Sequence, residues 1–303
     1  MSFRDAYHRQ AALLMRVLPL VAEEDVFALK GGTAINMFTR DMPRLSVDID
    51  LAYLPVHGRE ESLAAIDAAL GRIKERIAKA IPGAKTTPVN REGNDIKLHV
   101  QTADGQILIE VSSVIRGAVF DAETCEASAR AQDEFGFAEM QLLSKADLYG
   151  GKITAAIERQ HPRDLFDIRE LLAAEGIDDD MRRAFIIYLI SHKRPVWEIL
   201  NARRKDITHD YTHGFEGMTE EEVSQAELEE ARETLIDEII GNMPDDHKRF
   251  LISFEKGQPD WELLGLPGAA ELPGVLWRQK NLDTRTDEER AVLVANLEKV
   301  LKG

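Results

Sequence analysis

Residues 60–80 (EESLAAIDAALGRIKERIAKA) carry apolar side chains at 63, 66, 70, 73 and 77, with charges between them. That spacing returns to one side of a 3.6-residue turn and predicts a helix with one buried face. Pro82-Gly83 ends it. Residues 3–20 predict an earlier helix. The short apolar run Val26–Leu29 reads as a buried strand closed by Gly31-Gly32, and Thr33–Arg40 as a short helix before Pro43. In Val47-Asp48-Ile49-Asp50-Leu51 apolar and acidic residues alternate, the period of a strand. Three more strand-like runs cover 84–90, 95–101 and 106–115, and Asp104-Gly105 between the last two is a hairpin signal.

Beyond about residue 135 the strand signal stops. Ser144 caps an expected helix to about Ile157, and Pro162 opens another over 162–174. Residues 178–191 predict a third. Thr219 with Glu222, and Thr286 with Glu289, are capping-box pairs that predict helices over 219–240 and 284–301. The chain therefore reads as α+β: a sheet-and-helix domain over 1–138, then a mostly helical domain over 139–303.

Composition narrows the class. The 303 residues are 44% hydrophobic and 30% charged, ordinary for a soluble globular protein of two domains. The one cysteine, Cys125, excludes a disulfide framework and fits the reducing cytoplasm. Residues 11–22 are apolar, but Arg16 and Pro19 interrupt them and no basic cluster precedes. They make a poor signal peptide and are too short to span a bilayer, so a packing helix is expected and no membrane partner. The net charge is −16, which would repel nucleic acid if spread evenly. It is not even. Residues 181–209 hold seven Arg/Lys against two acids, and residues 210–247 hold thirteen acids against Arg232 alone. The basic block reads either as a solvated face or as a phosphate-contacting surface for RNA. The acidic helix 219–240 reads as a solvated face, a contact for another protein or an internal partner for the basic block.

The candidate chemistry lies near the first strands. Side chains at i and i+2 of a strand share a face, so Asp48 and Asp50 can share a divalent metal while Ile49 faces the other way. Hard oxygen ligands suit Mg²⁺ with substrate phosphates completing its shell. The small-residue turn at Gly31, Gly32 and Thr33 feeds a helix and offers backbone N–H groups to a phosphate. Thr33 can cap that helix and reach a phosphate oxygen. Ser46 lies on the Asp48 face and can touch a phosphate, whereas Arg44 can do the same or pair with an acid. Glu110 is a carboxylate amid the apolar run Ile107–Val111 and shares a face with Leu108. Lys152 lies fifteen residues before Asp167; Asp164 opens a helix after Pro162, and Asp167 stands one turn further on the same face. His161, His192, His209 and His213 show no metal-ligand spacing.

Four stretches in order carry a resemblance: Gly31-Gly32-Thr33-Ala34-Ile35-Asn36; Arg44-Leu45-Ser46-Val47-Asp48-Ile49-Asp50-Leu51; Lys152, Arg159 and Arg163-Asp164-Leu165-Phe166-Asp167-Ile168; and Asp260-Trp261-Glu262-Leu263-Leu264 with Leu272-Pro273 and Trp277. Together they resemble the polymerase-beta-like nucleotidyltransferase superfamily and, more narrowly, the AbiEii/AbiGii toxins of type IV toxin–antitoxin pairs. The resemblance runs from about residue 27 to the end. It implies a mixed sheet with helices on one face and Glu110 as a third metal-binding acid. It also implies that Lys152 and an acid, Asp164 or Asp167, complete the site. The implied reaction is Mg²⁺-dependent transfer of a nucleotide from an NTP, in some members to the 3′ end of tRNA. A cognate antitoxin is implied as functional partner, without direct binding being required. The same site could instead modify a protein hydroxyl or a small molecule. A nucleotide-binding module that has lost its chemistry is a third reading, against which the intact Asp-x-Asp argues.

Overall fold

The computed structural model describes residues 3–90, 96–112, 115–201 and 203–302. Two compact units divide the chain within one helix: Met1–Leu148 with Phe215–Glu222, and Tyr149–Gly214 with Val223–Gly303.

The first unit is built on seven strands: β1 (Phe27–Lys30), β2 (Asp48–Tyr53), β3 (Lys85–Asn90), β4 (Ile96–Gln101), β5 (Gln106–Ser112), β6 (Glu123–Glu126) and β7 (Glu139–Leu142). They form one mixed sheet in the order β3-β4-β5-β2-β1-β7-β6, with β2 parallel to β5 and β1 parallel to β7. The expected strand positions 95 and 113–114 lie outside the described residues. Alternation decides the faces. Ile49, Leu51, Leu98, Val100, Ile107, Ile109 and Val111 are all buried on one side, where helices α1 (Phe3–Ala22) and α3 (Arg59–Ala80) pack. Helix α1 runs through Pro19, which therefore does not interrupt it.

Two elements differ from expectation. The sheet continues past residue 135, because β7 joins β1 and β6 extends the edge. The helix after β1 begins at Gly31, not Thr33: α2 (Gly31–Ala34) continues as a π-helical turn, Ile35–Thr39. A short helix α4 (Ala129–Phe135) is capped by Ser128.

In the second unit helices follow one another: α5 (Lys145–Glu158, which begins in the first unit), α6 (Pro162–Ala174), α7 (Asp179–Ile190), α8 (Val196–Leu200), α9 (Thr208–Gly214), α10 (Gln225–Ile236), α11 (Asp245–Glu255), α12 (Pro273–Asp283) and α13 (Asp287–Lys302). Gly150 marks a close crossing of α5 and α7, since a Cβ there would lie 2.7 Å from the Phe185 amide nitrogen. The expected helix start at Thr219 is corrected to Gln225. The working capping box is Ser224 with Glu227. Thr219 instead bridges Arg44 in the first unit, beside a bond from the Leu45 amide to the Met218 carbonyl (2.9 Å). A tetrapeptide signal of the box type occurs twice within nine residues, and tertiary pairing removes the first from the helix.

Two arginines of the basic block, Arg204 and Arg182, meet acids of the acidic block, and others find partners elsewhere. Arg204 binds Glu233 through two nitrogens, and Arg182 donates to the Glu238 carbonyl and approaches its carboxylate. Arg183 pairs with Asp179, Arg194 with Glu198, and Lys205 donates to the Glu158 carbonyl. The contacts to Glu233 and Glu238 favour the internal-partner reading for that part of the acidic helix.

Candidate active site

Strand register assembles the acids. Asp50 on β2 stands opposite Glu110 on β5 and opposite Lys30 on β1, while Glu110 stands opposite Lys97 on β4. Cross-strand partners share a face, so one row across the sheet reads Lys30, Asp50, Glu110, Lys97. Asp48, two residues before Asp50, lies on the same face beside Leu108. Both aspartates are half-buried, with the apolar core behind them.

Gly31 explains the turn beside this row. Its φ of +73° is left-handed, where a side chain is strained. A Cβ there would also collide with the Asp50 carboxylate. Gly32 has the same role one residue on, since its Cβ would lie 2.7 Å from the Arg44 guanidinium and 3.3 Å from Ser46 Oγ.

The polar side chains under the turn are turned inward. Thr33 Oγ1 lies 2.5 Å from the Asp48 carbonyl oxygen and 2.8 Å from Ser46 Oγ. A carbonyl only accepts, so the single Thr33 proton goes to Asp48 and the Ser46 hydroxyl donates to Thr33. Thr33, Ser46 and Arg44 are all buried, and Arg44 donates to the Leu45 carbonyl (3.0 Å). Thr33 therefore does not cap the helix. Lys30 occupies the cap position and makes no side-chain cap bond.

The donor set suits a hard divalent cation. Asp48 and Asp50 offer oxygen only, on one face, and Mg²⁺ commonly binds through one or two carboxylates with water and phosphate filling its shell. Glu110 is engaged: the Lys97 ammonium donates to its Oε2 at 2.6 Å. Among the described residues no group of three His, Cys, Asp or Glu side chains is set to hold a metal ion.

The second unit holds its own cluster. Lys152 Nζ lies 2.8 Å from both Asp164 Oδ1 and Asp167 Oδ2, and the three side chains are only 5%, 3% and 0% exposed. Arg159 adds a two-pronged bond to Asp164 (2.6 and 3.0 Å). Burial alone would push the Asp164 carboxyl up. The Lys152 ammonium and Arg159 guanidinium overcome that and hold it well below the usual carboxylate range. Pro162 at the start of α6, with the His161 ring accepting from the Arg163 amide, sets Asp164 in the first turn.

The sequence assigns no role to Lys97, and marks Lys30 only as the first residue of the Lys30-Gly31-Gly32-Thr33-Ala34 turn. Lys97 had a readable signal. A four-residue loop around Asp104-Gly105 pairs Gln101 with Gln106, and counting back along both strands puts Lys97 opposite Glu110.

A family model for the nucleotidyl transferase AbiEii toxin of type IV toxin–antitoxin systems matches residues 12–272. The chain belongs to that family. It is a nucleotidyltransferase of the toxin class. Among solved structures it is similar to MenT4, a nucleotidyltransferase toxin from Mycobacterium tuberculosis H37Rv, with a TM-score of 0.63 at 16% identity, covering 97% of this chain and 94% of that one. At that identity the likeness concerns the fold. No curated protein matched the sequence. No helix among the described residues is long and apolar enough to cross a membrane.

Proposed function

We propose that this AbiEii-family toxin performs Mg²⁺-dependent transfer of a nucleotide from an NTP to the 3′ end of tRNA in the cytoplasm, countered by a cognate antitoxin. The acceptor hydroxyl oxygen bonds to the α-phosphorus, the α–β phosphoanhydride bond breaks, and pyrophosphate leaves. Asp48 and Asp50 hold the metal, with Glu110 completing the acid set. Mg²⁺, when bound, neutralises triphosphate charge and lowers the pKa of the attacking hydroxyl. Gly31 leaves room for the Asp50 carboxylate and Gly32 for the Arg44 guanidinium, the turn they form offers backbone N–H groups to a phosphate, and Thr33, Arg44 and Ser46 shape it from beneath. Lys152 is held by Asp164 and Asp167 within the second unit, and its expected role toward the leaving pyrophosphate rests on the family resemblance. The catalytic domain is taken as 1–138 and the acceptor-binding helical domain as 139–303.

The observation that carries this reading is the shared face of Asp48, Asp50 and Glu110, next to a glycine whose missing Cβ leaves room at the Asp50 carboxylate. The acceptor assignment rests on the family resemblance. The test is growth arrest on induced expression. The Asp48→Ala/Asp50→Ala double variant should be harmless at protein levels where the wild type arrests growth. Equal toxicity of the two at matched expression would refute the role of the pair.

A further inference from the structure

We infer that Lys97 is a positioning residue for the acid set: it fixes Glu110 by holding one carboxylate oxygen and leaves the other to the metal. The inference rests on reading Asp48, Asp50 and Glu110 as the metal site. Its basis is geometric. Asp50 and Glu110 stand directly opposite on neighbouring strands, an arrangement that like charges disfavour. Lys97 faces Glu110 from the other side and donates to Oε2 at 2.6 Å. The Lys97 side chain is 16% exposed and that of Glu110 32%, so this is no loose surface pair. Leu98 and Val100, one and three residues past Lys97 on the same strand, are buried and fix the strand beneath it. The strand fixes the Glu110 backbone but not its side-chain torsions; one short charge-assisted bond restricts them. Partners that hold a ligand from behind commonly matter to metal sites as much as the ligands do.

The sign of one measurement separates this role from its rival. Removing a positive charge near a cation site should, by electrostatics alone, tighten cation binding. Loss of Glu110 placement should weaken it. The experiment is a calorimetric titration of the full chain with Mn²⁺, for wild type, Lys97→Met, Glu110→Gln, the Lys97→Met/Glu110→Gln double variant, Lys97→Arg and Asp48→Ala/Asp50→Ala, with thermal melts of each. Lys97→Met should weaken Mn²⁺ binding by about ten-fold, Lys97→Arg should restore most of it, and Lys97→Met should add nothing in the Glu110→Gln background. Unchanged or tighter binding in a folded Lys97→Met, or a further loss in the Glu110→Gln background, overturns the inference alone. Wild-type protein that binds no Mn²⁺, or binding undiminished in Asp48→Ala/Asp50→Ala, overturns the reading of the acid set and the inference with it.

Discussion

Lys152 shows how much one side chain can hold in place. Two buried aspartates share its ammonium, so Lys152→Met takes that cation away from both carboxylates at once. Breaking such a set by removing one partner typically costs about 3–5 kcal/mol. Arg159 reaches the same Asp164 from an exposed position, 64% open to solvent, so Arg159→Ala should cost about 1 kcal/mol or less. Urea unfolding of the two variants checks the contrast; equal midpoints would show that the cluster does not stabilise the helical unit. The pH dependence has a definite sign. Asp164 has a folded pKa below its unfolded value, so its contribution is present above about pH 4 and is lost as pH falls through the lowered value. The sequence marked these residues through the ordered Lys152, Asp164 and Asp167 series. It did not mark their mutual capture, because that depends on the packing of α5 against α6.

Among the elements, those with local signals were legible and those defined by distant pairing were not. Pro162 and Ser144 open their helices where the sequence places them, and Asp104-Gly105 turns the β4–β5 hairpin with the Thr102 amide bonded to the Gly105 carbonyl (2.9 Å). The strands β6 and β7 are four residues each, and β7 joins β1 across more than a hundred residues of sequence. Nothing within four residues signals such a partner. The start of α10 shows local signals competing: Ser224 accepts from the Glu227 amide while the Glu227 carboxylate accepts from the Ser224 amide (2.8 Å). Ser224→Ala should therefore destabilise the protein by about 1 kcal/mol, whereas Thr219→Ala should stay within about 0.5 kcal/mol of wild type. Denaturation midpoints showing the reverse order would return the helix start to Thr219.

At the scale of the whole molecule, a chain of net charge −16 meets part of its charge in local pairs, and its buried histidines predict acid sensitivity. Burial pushes His161, His192 and His247 below the ordinary imidazole value, in His192 against the pull of Glu158. A lowered folded pKa means that stability is present above the unfolded value of about 6.5 and declines as pH falls below it. His161 adds a structural reason, since its ring nitrogen accepts the Arg163 amide and can do so only when unprotonated. The denaturation midpoint should drop between pH 7.5 and 5.5, and His247→Gln should flatten that drop; a midpoint independent of pH over this range would contradict the assignment.

Nucleotide transfer itself is tested by incubating purified protein with total bacterial RNA, Mg²⁺ and each NTP in turn, radiolabelled at the α-phosphate, and resolving the products on a denaturing gel beside Asp48→Ala. A labelled band of tRNA size, made by the wild type and reduced on the order of 10²-fold or more in the variant, is the expected result. Label that enters no RNA with any of the four nucleotides, or that enters RNA equally with Asp48→Ala, would contradict it.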